Sequence, residues 1–193
     1  MEADSVLRLL FSANRLKRVP RTGWVMRGVP HAESVSDHTF GVAFTALLLA
    51  EMVAQPIDLA KVLTIALLHD LPEAVLGDVP LPAARHFPPR ARRTAAEDVL
   101  KAILGTAPQV AQWHTWWREF EEQATVEARL VRDADRIDLL IQAHVYAETT
   151  GNRWLEEFWA DSAPDVFQFG ASRALFEALS RLRKTRREQR DLA

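Results

Sequence analysis

Apolar residues along the chain recur mostly at three- and four-residue intervals, the spacing of helix faces rather than the alternation of strands. Leu7, Leu10 and Phe11 follow Asp4 and Ser5, short polar residues able to cap, and predict a first helix to about Arg18. Val19 to Val35 holds two prolines and two glycines among basic residues, so it reads as a loop rich in side chains that can contact a ligand. Ser36 and Asp37 can cap a second helix reaching about Ala54, before Pro56 breaks the chain. Asp58 caps a third, Leu59 to Leu71, which is apolar almost all round and should therefore be central. Pro72 and the segment Gly77-Asp78-Val79-Pro80-Leu81-Pro82 make the next loop. Helices over about Pro89 to Leu104, Ala107 to Glu122 and Thr125 to Thr149 follow. Pro88 and Pro89 suit the first of these openings and Gly151 the last of these ends. A short helix around Arg153–Trp159 and another from Gly170 to about Arg187 complete the pattern. With no period-two segment, repeat or linker, the expectation is an all-α chain. It forms a single domain over residues 1–193, with its core at about 5–150 and C-terminal helices at about 151–190.

Composition narrows the chemistry. Of 193 residues 48% are apolar and 26% charged, which is globular rather than disordered. The 24 basic and 26 acidic residues leave a net charge of −2, so no general affinity for nucleic acid or anionic membranes is expected. Cysteine is absent, which excludes a disulfide scaffold, a thiolate zinc site, an iron–sulfur cluster and a cysteine nucleophile. Any bound metal must be held by His, Asp or Glu. The N-terminal segment lacks a basic stretch followed by an apolar run, and the apolar stretch Val42–Ala54 is interrupted by Thr45 and Glu51. A soluble cytoplasmic protein, with no membrane partner, is the expectation.

Among six histidines, His69 stands out because His69-Asp70 ends the most apolar helix. Burying a neutral imidazole there costs little, but an ionised carboxylate costs several kcal/mol unless it is paired or bound to a cation. A divalent metal accounts for the pair, and so does a structural hydrogen bond at the helix end. His38, in the first turn of the preceding helix, can face that end. Asp133, Asp135 and Asp138 lie in the long, otherwise apolar helix. Asp135, among Leu130, Val131, Leu139 and Ile141, should point inward, with a salt bridge to Arg132 or Arg136 as the alternative. Glu73 and Asp78 lie just beyond Asp70, where capping and solvated loop charge are the plain readings.

The order His38 … His69-Asp70 … Asp135 resembles the HD-domain metal-dependent phosphohydrolases. The segments Leu16–Trp24, Glu33-Ser34-Val35-Ser36-Asp37-His38 and His69–Asp78 are similar to the 5′-deoxynucleotidase branch over roughly residues 5 to 150. The resemblance implies a helical HD-domain bundle with His38, His69, Asp70 and Asp135 as metal ligands, Asp135 being preferred to Asp133 and Asp138 on the family's V-K-x-x spacing. Two imidazoles and two carboxylates suit one divalent ion among Mn²⁺, Co²⁺, Fe²⁺, Zn²⁺ and Mg²⁺. Such an ion lowers the pKa of bound water and neutralises phosphate charge, as phosphomonoester hydrolysis requires. The resemblance further implies that Glu73 and Asp78 orient water and shuttle its proton, without fixing which is base and which acid. Arg21 and Trp24 are implied to contact the substrate, with Arg18 and Arg27 reaching the same mouth. A homodimer is implied as well.

The expected function is thus a metal-dependent hydrolase of deoxyribonucleoside 5′-monophosphates, its partner a small nucleotide. The alternatives are an HD hydrolase of another phosphorylated metabolite and a regulatory module that binds nucleotide and metal without turnover. Trp113, Trp116 and Trp117 share one helix face, read as core packing with a subunit interface as its rival. The basic run near the C-terminus reads as a solvated helix end.

Overall fold

Helix boundaries in the computed structural model, which describes residues 2–105, 108–160 and 162–191, are set by caps and prolines more than by apolar spacing. Helix α1 (Ala3–Arg15) tightens into a 3-10 turn over Leu16–Arg18. Its Leu7, Leu10 and Phe11 face solvent, whereas Leu9 packs against the core that holds Leu16. A single turn, α2 (Thr22–Val25), lies inside the expected loop. Helix α3 (Val35–Met52) starts at Ser34, not at Ser36 or Asp37. The Ser34 hydroxyl accepts the Asp37 N–H at 3.2 Å while the Asp37 carboxylate accepts the Ser34 N–H at 2.9 Å. This reciprocal capping box sets the helix start and puts His38 just past the first turn.

Helix α4 (Leu59–Leu68) is capped by Asp58, which accepts the Lys61 N–H at 3.0 Å. It stops short of the expected Leu71 because Pro72 has no N–H to give to Leu68; the Leu71 N–H closes on that carbonyl instead, at 3.0 Å. His69 and Asp70 therefore sit on the turn leaving α4. Two more single turns, α5 (Glu73–Leu76) and α6 (Leu81–Ala84), occupy the next expected loop. Helix α7 (Pro89–Leu104) opens on its prolines as predicted. Helix α8 spans Pro108–Glu122; its expected first residue, Ala107, lies outside the described residues. Helix α9 (Val126–Thr150) is capped by Thr125 and ends at Gly151, whose φ of 68° is the left-handed conformation glycine adopts freely. A 3-10 turn (Arg153–Glu156) leads into α10 (Glu157–Ala160), and α11 runs over Gly170–Asp191.

The helices form one all-α bundle. α4 is central, packed against α3, α8 and α9, as its all-round apolar character requires. Val42, Ala46, Leu49, Val62, Ile65, Ala66, Leu130 and Ala134 are fully buried between these helices, and Phe167, Phe169 and, on α11, Phe176 join the same core. Among the described residues there is no strand, only an isolated bridge between Pro20 and Ser34. That bridge fixes the site. With Arg21 N–H on the Glu33 carbonyl (2.9 Å) and Val35 N–H on the Val19 carbonyl (2.8 Å), it clips the loop shut and brings Arg21 beside the start of α3. No described helix is long and apolar enough to cross a membrane.

Candidate metal centre

Three elements deliver the titratable groups to one point: His38 from α3, His69 and Asp70 from the end of α4, and Asp135 from the middle of α9. One ligating atom each from His38, His69 and Asp135 lie within 4.8 Å of one another. His38 Nε2 is 3.3 Å from Asp135 Oδ1, and Asp70 Oδ2 is 3.2 Å from His69 Nε2 and 3.8 Å from His38 Nε2. Both imidazoles are buried, and both use Nδ1 for support. His38 Nδ1–H donates to Asp138 at 2.8 Å and His69 Nδ1–H to the Ala66 carbonyl at 2.7 Å. Nε2 of each ring is left buried without a hydrogen-bond partner.

Two buried ring nitrogens without hydrogen-bond partners, turned toward two carboxylates, are the donor set a divalent cation takes once it displaces their protons, and the Nδ1 contacts are the usual outer support of metal-binding histidines. The residues present fit a metal. Electrostatics agrees. Burial and Arg21 oppose protonation of His38, but Asp135 and Asp138 outweigh them and hold it up at about 10. Asp70, against the pull of burial, is held well below the usual carboxylate range by His69, then Arg21 and His38; Asp135 is held low by His38 and Arg132. Without a cation, the cluster draws positive charge from protons and arginines.

His69, Asp70 and Asp135 of the cluster line a cavity of about 560 Å³. Arg21, whose Nη1 lies 3.3 Å from Asp70 and 3.9 Å from Asp78, lines it. Burial works against the Arg21 charge, yet Asp70 and Asp78 hold it firmly protonated. Asp78 accepts the Thr22 N–H at 2.6 Å, and Thr22 returns its hydroxyl to the Asp78 carbonyl at 2.9 Å. Asp78 thereby anchors α2 and the arginine before it. Glu73 keeps Oε2 buried and unpartnered, and burial, then Asp70 and Asp78, push its carboxyl up to about 9. Trp24 is buried rather than presented: it packs on Tyr146 and Phe158, donates Nε1–H to Glu33 at 2.8 Å, and offers the cavity a wall.

Several expectations change here. Arg18 is exposed and Arg27 pairs with Glu157 over the Phe158 ring, so neither lines the cavity. Their places are taken by Arg132 and, from α7, Arg92 and Arg93. Apolar spacing put Arg132 only in the role of a salt-bridge partner; it is that, 3.2 Å from Asp135, and it also lies over Phe120 at the cavity edge. Asp133 accepts the Gln168 and Phe169 N–H groups before α11, far in role from any ligand, and Asp138 stands behind His38. Trp117 is buried, lines the cavity and donates Nε1–H to the His69 carbonyl at 3.1 Å, while Trp113 and Trp116 pack against the core. The tryptophan face is core.

An HD-domain family model matches residues 13–168. The 5′-deoxynucleotidase HDDC2 of Danio rerio is 32% identical over 162 residues, covering 82% of this chain and 78% of that protein. The human 5′-deoxynucleotidase HDDC2 is 32% identical over 148 residues, covering 76% of this chain and 70% of that one. Among solved structures, a conserved hypothetical protein from Pyrococcus furiosus superposes with a TM-score of 0.77 at 37% identity, covering 92% of this chain and 99% of that chain.

Proposed function

The chain belongs to the HD-domain family, and from that premise we propose that it is a divalent-metal-dependent phosphomonoesterase that hydrolyses deoxyribonucleoside 5′-monophosphates to deoxynucleoside and phosphate. The observation that carries this reading is the pair of buried imidazole nitrogens without hydrogen-bond partners, set against two carboxylates at a cavity that Arg21 also lines. His38, His69, Asp70 and Asp135 hold the ion, which is one of Mn²⁺, Co²⁺, Fe²⁺, Zn²⁺ or Mg²⁺. When bound, it supplies charge neutralisation at the phosphate and activation of water.

The chain's own groups do the rest. Arg21, held firmly charged, takes two phosphate oxygens with its planar fork. Glu73 lines the cavity beside Asp70 and Asp78, and burial raises its carboxyl, so it is placed to give a proton to the leaving 5′ oxygen as water adds to phosphorus and the bond to that oxygen breaks, and to regain one from the added water. Asp78 acts through Arg21 and α2, as a positioning residue, and Trp24 walls the sugar side. The chain acts as a soluble, cytoplasmic homodimer on a small nucleotide, without nucleic acid or membrane as partner.

The test is phosphate release by the purified protein with Mn²⁺ or Co²⁺ and dAMP, dTMP or AMP. Release from the deoxynucleotides is expected; none with any nucleotide or ion refutes the reading. Asp70→Ala should lose both Mn²⁺ binding and turnover. Arg92, and Arg93 with its partner Glu122, also line the cavity and favour, as a second reading, a substrate with a further anionic group, such as a nucleoside triphosphate. Product analysis separates the two, since a monophosphatase yields only phosphate and nucleoside.

A further inference from the structure

Gly41 sits in the middle of α3, one turn beyond His38, where glycine is the poorer helix former and alanine the better one. Its backbone conformation does not call for glycine, so the reason lies in what a side chain would meet. A Cβ at Gly41 would stand 2.0 Å from Asp138 Oδ1, 2.7 Å from its Cγ and 3.0 Å from Oδ2. No real carbon approaches an oxygen so closely, and Asp138 is too short to give way while keeping its contact. Its other oxygen is spent 2.8 Å from His38 Nδ1. The space left by the absent side chain is therefore the space in which the carboxylate stands.

We propose that Gly41 and Asp138 are a matched pair of positioning residues: the bare backbone of α3 admits the Asp138 carboxylate from α9, and the carboxylate fixes the ring of His38 with Nε2 turned to the metal centre. His38 is fully buried, and its one hydrogen bond is the Nδ1 contact with Asp138, which turns Nε2 toward Asp135 and Asp70 at 3.3 and 3.8 Å. A methyl at position 41 acts on the metal only by displacing that carboxylate. The inference rests on the metal reading above, and the two can fail separately.

The experiment titrates Mn²⁺ calorimetrically into metal-stripped wild type, Gly41→Ala, Asp138→Ala and the double variant, with metal-free melts of all four. Loss of such an outer partner weakens metal binding about 10–100-fold. Gly41→Ala should show that loss, Asp138→Ala the same, and the double variant no more than Asp138→Ala alone, because one contact is removed in all three. The metal-free double variant should melt at or above Asp138→Ala, since the alanine then fills empty space in a helix. Should Gly41→Ala fold poorly, the double variant, in which the collision is gone, still folds and binds as Asp138→Ala does. Unchanged affinity in Gly41→Ala, losses that multiply in the double variant, or a double variant that fails to fold each overturn the pairing. Wild type that takes up no Mn²⁺ overturns the metal reading itself.

Discussion

Arg21 is the residue on which the charge balance of the site turns. It stands mostly buried among Asp70, Asp78, Asp135 and Glu73, and removing one partner of such a set leaves carboxylates without compensation, at about 3–5 kcal/mol. A bound divalent ion takes over part of that compensation at Asp70. Arg21→Ala should therefore lower the melting temperature of the chelator-treated protein more than that of the Mn²⁺-saturated protein, as read by calorimetric melts of both forms; equal losses would sever Arg21 from the metal centre. Glu73 gives a pH signature in the metal-free protein. Its carboxyl is pushed up to about 9 in the fold against 4.5 in the free group, by burial first and then by Asp70 and Asp78. Below 4.5 both states hold the proton. As pH rises from there to about 9 only the unfolded chain releases it, so stability falls, and above 9 the cost is level. Glu73→Gln removes the group, so its gain over the chelated wild type should be absent near pH 4 and largest near pH 9. A gain that does not grow with pH would refute this. That His38, His69, Asp70 and Asp135 meet at one point was legible through the resemblance, which rests on their types and order along the chain. The neighbours Arg132, Arg92 and Arg93 were not, since nothing local in a helix says which of its arginines meets a cavity built by other helices.

Elements were legible where apolar spacing persists over three turns or more, and α3, α4, α7 and α9 lie close to their expected spans. The single turns α2, α5 and α6 carry too few residues for a period to appear, and they were read as loop. At α3 the expected start, Ser36, and the actual cap, Ser34, carry the same side chain; the reciprocal bond with Asp37, three residues after Ser34, sets the cap there. That cap holds the first turn, on which His38 follows directly. Ser34→Ala should cost about 1 kcal/mol in urea unfolding and should weaken Mn²⁺ binding as the turn frays. A loss of stability with metal affinity untouched would show that the cap holds the helix without holding the site. The loop before α3 owes its shape to tertiary pegs: Trp24 on Glu33, and the Tyr146 hydroxyl accepting the Glu33 N–H at 2.8 Å. Residues more than a hundred positions apart make that contact, and no short-range pattern announces it.

Across the whole molecule, what faces outward on α3 is as ordered as what faces inward. Phe40, Phe44, Leu48 and Met52, each half-exposed or more, repeat every fourth residue, and the rings of Phe40 and Phe44 stack at 6.2 Å. At 1.5 Å per residue the ridge is about 18 Å long. Single exposed apolar residues are ordinary, but a continuous ridge of four is the kind of patch a subunit interface covers. Rows at i±4 interdigitate with an identical row, and one face meeting its own copy about a two-fold axis closes the assembly at two subunits. We place the proposed homodimer contact across α3, with Ile141 and Val145 of the adjoining α9 also exposed. None of these six residues lines the cavity, so the dimer should be separable from the chemistry. In sedimentation at micromolar concentration the wild type should run as a dimer and the Phe40→Glu, Phe44→Glu double variant as a monomer with unchanged Mn²⁺ affinity. A charged pair on the ridge would be desolvated against its own copy, which costs several kcal/mol in each interface. A monomeric wild type would refute the dimer, and a variant that stays dimeric would place the contact elsewhere.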